Sequence, residues 1–176
     1  MASPTFAAVY DEHVWRVYGF FAYRTRVRAD AEDLTQQTFE RALRAWSRYD
    51  AGRASVSTWL LAIARNLLID QHRGDRGDRQ QRLDDPDGDN DLVQAPDRPD
   101  IGLEPDLERA LAGLGARERE IVALRFGGDL NGPEIAELTG LTLANVQQIL
   151  SRSLRRMRAE LEETESVHAR MARADG

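Results

Sequence analysis

The sequence predicts an all-α protein made of two small helical domains joined by an acidic flexible linker, the second domain a helix-turn-helix. Three observations carry this. In both halves of the chain, apolar residues recur at three- and four-residue steps, the spacing of one face of a helix. Neither half has the alternating β-branched runs of strands. Between the halves lies "GDRGDRQQRLDDPDGDNDLVQAPDRPD", Gly74 to Asp100, which is rich in glycine, aspartate and proline, poor in apolar residues and without a period. That is the composition of a solvated linker. The expected units are a first domain over residues 1–73, a linker over 74–104, a second domain over 105–160 and a charged tail over 161–176. In a chain of 176 residues, each domain has only a modest core.

The first domain opens with "FAAVYDEHVWRVYGFFAYRTR", where Phe6, Val9, Val14, Val17, Tyr18 and Phe21 mark an amphipathic helix or a pair of helices. In "ADAEDLTQQTFERALRAWSRYD", at 100° per residue, Ala31, Phe39, Ala42, Leu43 and Trp46 fall in one arc. Asp33, Gln36, Gln37, Glu40 and Arg44 fall opposite. Such a polar face is by default a solvated surface. The third helix, "STWLLAIARNLLIDQHR", has Ser57 or Ser55 as its cap. Trp59, Leu60, Leu61, Ile63, Ala64, Leu67 and Leu68 form a wide apolar arc, and Arg65, Asn66, Asp70, His72 and Arg73 take the rest. Arginines there suit phosphates, and the Asn66 amide suits a base edge. A tryptophan at position 59 is more often a core anchor than a stacking platform.

The second domain holds "LNGPEIAELTGLTLANVQQILSRSLRRMR". Asn131 and Glu134 form a capping-box pattern, and Pro133 fits the first turn, where no amide donor is needed. Gly140 ends that helix and Thr142 caps the next. Ala136, Gly140, Val146 and Ile149 supply what a helix-turn-helix needs: a small residue where helices touch, a glycine at the turn and two apolar pins beneath the second helix. That helix leaves Thr142, Ala144, Asn145, Gln147, Gln148, Ser151, Arg152 and Arg155 outside. Asn and Gln pair with adenine in the major groove, while Arg152, Arg155, Arg156 and Arg158 suit phosphates.

Composition excludes several classes. There is no cysteine, hence no disulfide or thiolate zinc site, and His13, His72 and His168 lack metal-ligand spacing. No metal or cofactor is expected, and no Ser/His/Asp set shares a motif, so no enzyme is expected either. The longest apolar runs fall far short of a membrane span and the N-terminus lacks a secretory pattern, which points to a cytoplasmic protein. The net charge of −6 conceals its distribution: Gly74 to Asp106 carries eleven acids and four arginines, against nineteen acids and twenty arginines elsewhere. All 24 basic residues are arginine. Because that usage is global, it reads first as the codon preference of a GC-rich genome and second as suited to DNA contact.

Three segments together resemble the extracytoplasmic-function (ECF) sigma factors, the smallest class of bacterial RNA polymerase sigma subunits. "DAEDLTQQTFERALRAW" is similar to the family's core-polymerase-binding helix, "STWLLAIARNLLIDQHR" to its melting and minus-ten recognition helix, and "RERE…LNGPEIAELTGLTLANVQQIL" to its minus-thirty-five helix-turn-helix. Their order and the acidic spacer match as well. The resemblance implies that Asp33, Gln36, Gln37 and Glu40 dock on the coiled coil of the largest polymerase subunit, although Gln37 stands where the family often has glutamate. It implies that Trp59 lies at the upstream edge of the bubble and that Arg65, Asn66 and Arg73 meet the melted minus-ten strand. The loop "DAGRASVS" would then supply much of the pocket for a flipped base. Thr142, Asn145, Gln147, Gln148, Arg152 and Arg155 would read the minus-thirty-five duplex. A Val-Lys-Ser-Arg-type run common in the family is here Val146-Gln147-Gln148-Ile149, which removes two basic positions and weakens phosphate anchoring. The resemblance further implies an anti-sigma partner and a linker that threads the polymerase cleft, where a plain solvated tether is the alternative. A stand-alone helix-turn-helix regulator is the alternative for the whole chain, but it would leave the Asp33 face and the Trp59 helix without a purpose.

Overall fold

The computed structural model describes residues 5–79 and 102–174, with side chains described through 71, from 102 to 166 and at 170. Among these residues there are seven α-helices and no strand. Helices α1 (Phe6–Ala22), α2 (Arg28–Ala45) and α3 (Val56–Arg79) form a front lobe, and α4 (Pro105–Ala112), α5 (Ala116–Val122), α6 (Gly132–Thr139) and α7 (Leu143–Ala174) form a rear lobe.

The helix starts follow from local chemistry. Thr5 accepts from the amide of Ala8 to open α1, which is one helix rather than two. Ser55, not Ser57, caps α3: its hydroxyl accepts from the Thr58 amide at 3.2 Å. Ser57 is instead buried inside the first turn. The Asn131–Glu134 capping box forms in both directions, at 3.0 and 2.9 Å. Gly140 ends α6 at φ 72°, a left-handed conformation that glycine adopts without a Cβ clash. Thr142 accepts from the Asn145 amide to begin α7.

Two elements extend past their expected limits. Helix α3 continues through Gly74 to Arg79, beyond the expected domain end at Arg73. Helix α7 continues through the charged tail to Ala174. The expected linker lies outside the described residues over 80–101.

The expected apolar faces are the ones buried. Val9, Val17, Phe21, Ala31, Phe39, Ala42, Leu60, Leu61, Ala64, Leu67 and Leu68 are all in the core. Leu43, placed by the helical wheel on the apolar arc, is instead 57% exposed beside a surface groove.

The two lobes share this core. Ile121, Leu124, Leu130, Ile135 and Val146 of the rear lobe belong to the same buried cluster as Phe20, Phe21, Leu60 and Leu61. A smaller cluster, Ala110, Leu111, Leu114, Val122 and Met157, belongs to the rear lobe itself. The seam is close because the backbones of Gly19 and Gly127 touch: a Cβ on either would collide with the other's carbonyl oxygen. Gly127 ends a π-helical turn (Ala123–Gly127) that follows α5, where one extra residue per turn shifts the backbone outward.

Candidate nucleic-acid interface

On α2, Asp33, Gln36 and Glu40 are exposed and Gln37 is half-buried. The four pair along the helix at i,i+4 spacing: Gln37 donates to Asp33, and Gln36 donates to Glu40 at 3.0 Å. The result is one continuous polar strip with its amides and carboxylates already oriented. Beside it runs a groove of about 760 Å³, lined by Phe6, Tyr10, Trp15, Phe39 and Leu43 with Gln36 and Glu40 on its rim.

On α3 the expected polar set separates. Asn66 is exposed. Trp59 is half-buried among aromatic rings, its centroid 5.9 Å from that of Trp46 and 5.0 Å from that of Tyr49. Trp46 and Tyr49 stack at 5.1 Å with their planes 5° apart, and the Tyr49 hydroxyl donates to the Ala54 carbonyl at 2.9 Å. Partial burial and the Asp50 charge raise the Tyr49 pKa, so it stays a neutral donor. Sequence reading put Trp46 on the apolar arc of the second helix but missed this ring cluster, because Tyr49 follows a short 3₁₀ turn (Trp46–Arg48) as its C-cap, where no helical period marks it. Arg73 lies within α3 by its backbone, and its side chain lies outside the described set, as does that of His72.

Arg65 is not free. Its Nε donates to Oε1 of Glu120 in the rear lobe at 2.7 Å, with only 22% of the arginine side chain and 12% of the glutamate exposed. Arg117 holds the other oxygen of Glu120 at 3.1 Å. Nearby, Arg24 Nη1 donates to the Ala116 carbonyl at 2.9 Å. Burial lowers the pKa of Arg24, and the Glu120 charge opposes that shift.

The helix-turn-helix is assembled as expected. Val146 and Met157 pin α7 from beneath, and Ile149 is half-buried. Thr142, Asn145, Gln147, Gln148, Arg152 and Arg155 are all exposed. Arg156, counted among the phosphate-facing arginines, is instead tied down: it reaches Glu118 at 2.7 Å and the Gly113 carbonyl at 2.7 Å. Among the described residues no group of three His, Cys, Asp or Glu could hold a metal ion, and no helix is long and apolar enough to cross a membrane.

A front lobe with an exposed polar strip on α2, beside a rear lobe that carries a helix-turn-helix, is the architecture of a two-part helical DNA-binding protein. Family models agree: residues 9–77 match sigma-70 region 2 and residues 110–159 match sigma-70 region 4. The chain is 31% identical over 160 residues to the ECF RNA polymerase sigma factor RpoE of Cereibacter sphaeroides, covering 89% of this chain and 86% of that one. It is 32% identical over 173 residues to the RNA polymerase sigma factor CarQ of Myxococcus xanthus, covering 96% of each. Its fold matches the sigma factor RpoE crystallised with the anti-sigma factor NepR from Bartonella quintana, with a TM-score of 0.70 at 20% identity over 89% of this chain and 96% of that one.

The chain belongs to the ECF RNA polymerase sigma factors. It is an alternative sigma factor, a transcription-initiation subunit that binds RNA polymerase and DNA, and the stand-alone regulator is not favoured. The family is one of initiation factors.

Proposed function

We propose that the chain divides its work by lobe, residues 1–73 gripping core polymerase and opening the minus-ten region, 105–160 reading the minus-thirty-five duplex, and 74–104 and 161–176 serving as linker and tail. In the cytoplasm, Asp33, Gln36, Gln37 and Glu40 dock on the largest-subunit coiled coil. Asn66 captures a base edge of the unstacked strand, Trp59 supports its upstream side, and Arg65 and Arg73 hold its backbone. No covalent step is needed, since capture of a flipped base offsets the few kcal/mol of unstacking. Thr142, Asn145, Gln147, Gln148, Arg152 and Arg155 enter the major groove. The observation that carries this reading is the exposed face of α7, where amides and arginines stand clear of solvent-excluding contacts while Val146 and Met157 fix the helix from below.

An anti-sigma protein that covers the α2 strip and its groove completes the picture. NepR is the anti-sigma factor bound to RpoE in the crystallised complex.

The test is run-off transcription by core polymerase reconstituted with the chain, on promoters selected from a random-sequence library. A discrete transcript that depends on the chain is expected, and duplex binding without any transcript would overturn the reading. Asp33→Ala with Gln36→Ala should abolish co-elution with core polymerase while circular dichroism stays unchanged. Retained co-elution would remove the strip from the polymerase contact.

A further inference from the structure

The ring cluster that precedes α3 is tied to an exposed loop. Residues Asp50 to Arg53 are exposed and Ala54 is half-buried, on the short path between Tyr49 and the α3 cap Ser55. Inside that loop Asp50 folds the chain on itself: its Oδ1 accepts from the Gly52 amide at 2.8 Å and its carbonyl from the Arg53 amide at 3.1 Å. The far end is held differently. The Tyr49 hydroxyl donates to the Ala54 carbonyl at 2.9 Å and so closes the loop onto the aromatic cluster.

The Tyr49 ring is itself fixed from two sides. Its face lies on Trp46, with centroids 5.1 Å apart and planes 5° from parallel, and Trp59 leans on it at 47° with centroids 5.0 Å apart. Trp46 precedes the loop and Trp59 follows it, so the three rings bracket the loop from both ends. A tyrosine has only two side-chain torsions to the ring, and once the ring is stacked the place of its hydroxyl is set.

We propose that Tyr49 is a positioning residue for strand capture: its hydroxyl bond to Ala54 orders the Asp50–Ala54 loop against the Trp59 indole, so that a base leaving the duplex meets a preformed face. The inference rests on the proposed capture of the separated strand beside Trp59 and Asn66. Unstacked bases are held by an aromatic face and by hydrogen bonds to their edges. The indole offers the first, and the exposed turn at Ala51, Gly52 and Arg53 carries backbone carbonyls and a guanidinium for the second. A loose loop re-packs around whichever base arrives and discriminates little, whereas an ordered one holds its polar groups where one base edge matches best. Tyr49 thus sets selectivity without touching DNA.

Tyr49→Phe keeps the ring and removes only the hydroxyl. Amide hydrogen exchange on the full chain reads loop order: exchange in the peptide spanning residues 50–55 should quicken about fivefold, with α2 unchanged. Open-complex formation by the reconstituted holoenzyme reads selectivity, on the promoter selected from the random-sequence library and on its single-base variants along the non-template minus-ten strand. Preference for the best base over the worst should fall about fivefold at one position and hold at the others. A residue that merely stabilised the lobe would lower every position alike.

Exchange and preference both at wild-type values would overturn the clamp, and so would a uniform fall across positions. Faster exchange with intact preference would mean an ordered loop that reads no base, which also overturns it. Lost preference with unchanged exchange would make the hydroxyl a direct DNA contact and end the positioning role. Asn66→Ala separates the clamp from the capture reading beneath it. Normal opening in that variant removes the capture site, while impaired opening there with unaltered selectivity in Tyr49→Phe removes the clamp alone.

Discussion

The two helices that carry the candidate DNA contacts stand in opposite conditions. On α7 and its cap Thr142 all six expected residues are exposed, and the helix is held from below by Val146 and Met157. On α3, among the described candidate side chains, Asn66 is exposed, Trp59 is half-buried among rings, and Arg65 is bound by a glutamate from the other lobe. The rear helix has the availability that a reader of intact duplex needs. The front helix shares its surface with its neighbour, so the DNA contact proposed for it is linked to the arrangement of the lobes. Recognition of duplex and capture of a separated strand therefore make different demands on one small core.

The largest expected effect tests whether that core is shared in energy as well as in space. Leu124 belongs to the rear lobe but is fully buried in the cluster containing Phe21 and Leu61. Leu124→Ala should cost about 2–5 kcal/mol in urea unfolding, as buried leucine truncations do. All three tryptophans, Trp15, Trp46 and Trp59, lie in the front lobe, so their fluorescence reports that lobe alone. A shifted tryptophan transition means that the lobes unfold together, and an unshifted one would separate them.

Next come the two readers themselves. A good bidentate contact is worth about 1–3 kcal/mol of base discrimination. Asn66→Ala should slow open-complex formation by about tenfold, which is about 1.4 kcal/mol, without changing polymerase binding. Gln148→Ala should weaken upstream duplex binding and leave permanganate reactivity of the bound complex intact. Normal permanganate reactivity in Asn66→Ala would remove Asn66 from its role. A smaller effect belongs to the rear lobe's scaffold. Asn131→Ala removes the acceptor for the Glu134 amide and should cost about 1 kcal/mol in thermal or urea unfolding.

These residues also show what a sequence discloses. Caps are local, and so Asn131, Glu134, Gly140 and Thr142 were legible: each acts within four residues of itself. Apolar periodicity was legible for the same reason, and it placed the buried faces of α1, α2 and α3. Leu43 escaped because a helical wheel shows which way a side chain points but not where the neighbouring helix ends. The Arg65–Glu120 pair spans 55 residues of chain, and nothing at either position marks it. The Gly19–Gly127 contact is hidden in the same way: two ordinary glycines become a close backbone approach only once α1 meets the π turn. Polar faces were thus readable as faces, while their occupants were not.

The smallest effect concerns a group at the edge of the seam. Arg16 Nη1 donates to the Ser57 hydroxyl at 3.2 Å, and Ser57 lies 3.2 Å from Nδ1 of buried His13. An arginine can only donate, so the Ser57 oxygen accepts there and its proton is free for Nδ1. The other ring nitrogen, Nε2, faces Glu12 at 3.9 Å. Burial chiefly lowers the His13 pKa below 6.5; Glu12 opposes this and Arg16 reinforces it, while Arg16 is itself paired with Asp129 of the rear lobe. The folded state therefore takes up the proton less readily than the unfolded chain. Stability from this group is fully present above pH 6.5 and is lost as pH falls below that value toward the lower folded-state pKa. The urea midpoint should accordingly drop between about pH 7.5 and 5.5, and His13→Gln, whose amide oxygen can still accept from Ser57, should flatten that dependence. Because His13, Ser57, Arg16 and Asp129 form one chain from front lobe to rear, acid should loosen the seam before it melts the rear helix-turn-helix. An unaltered slope in His13→Gln would assign the pH dependence to other groups and leave the Ser57 linkage as packing alone.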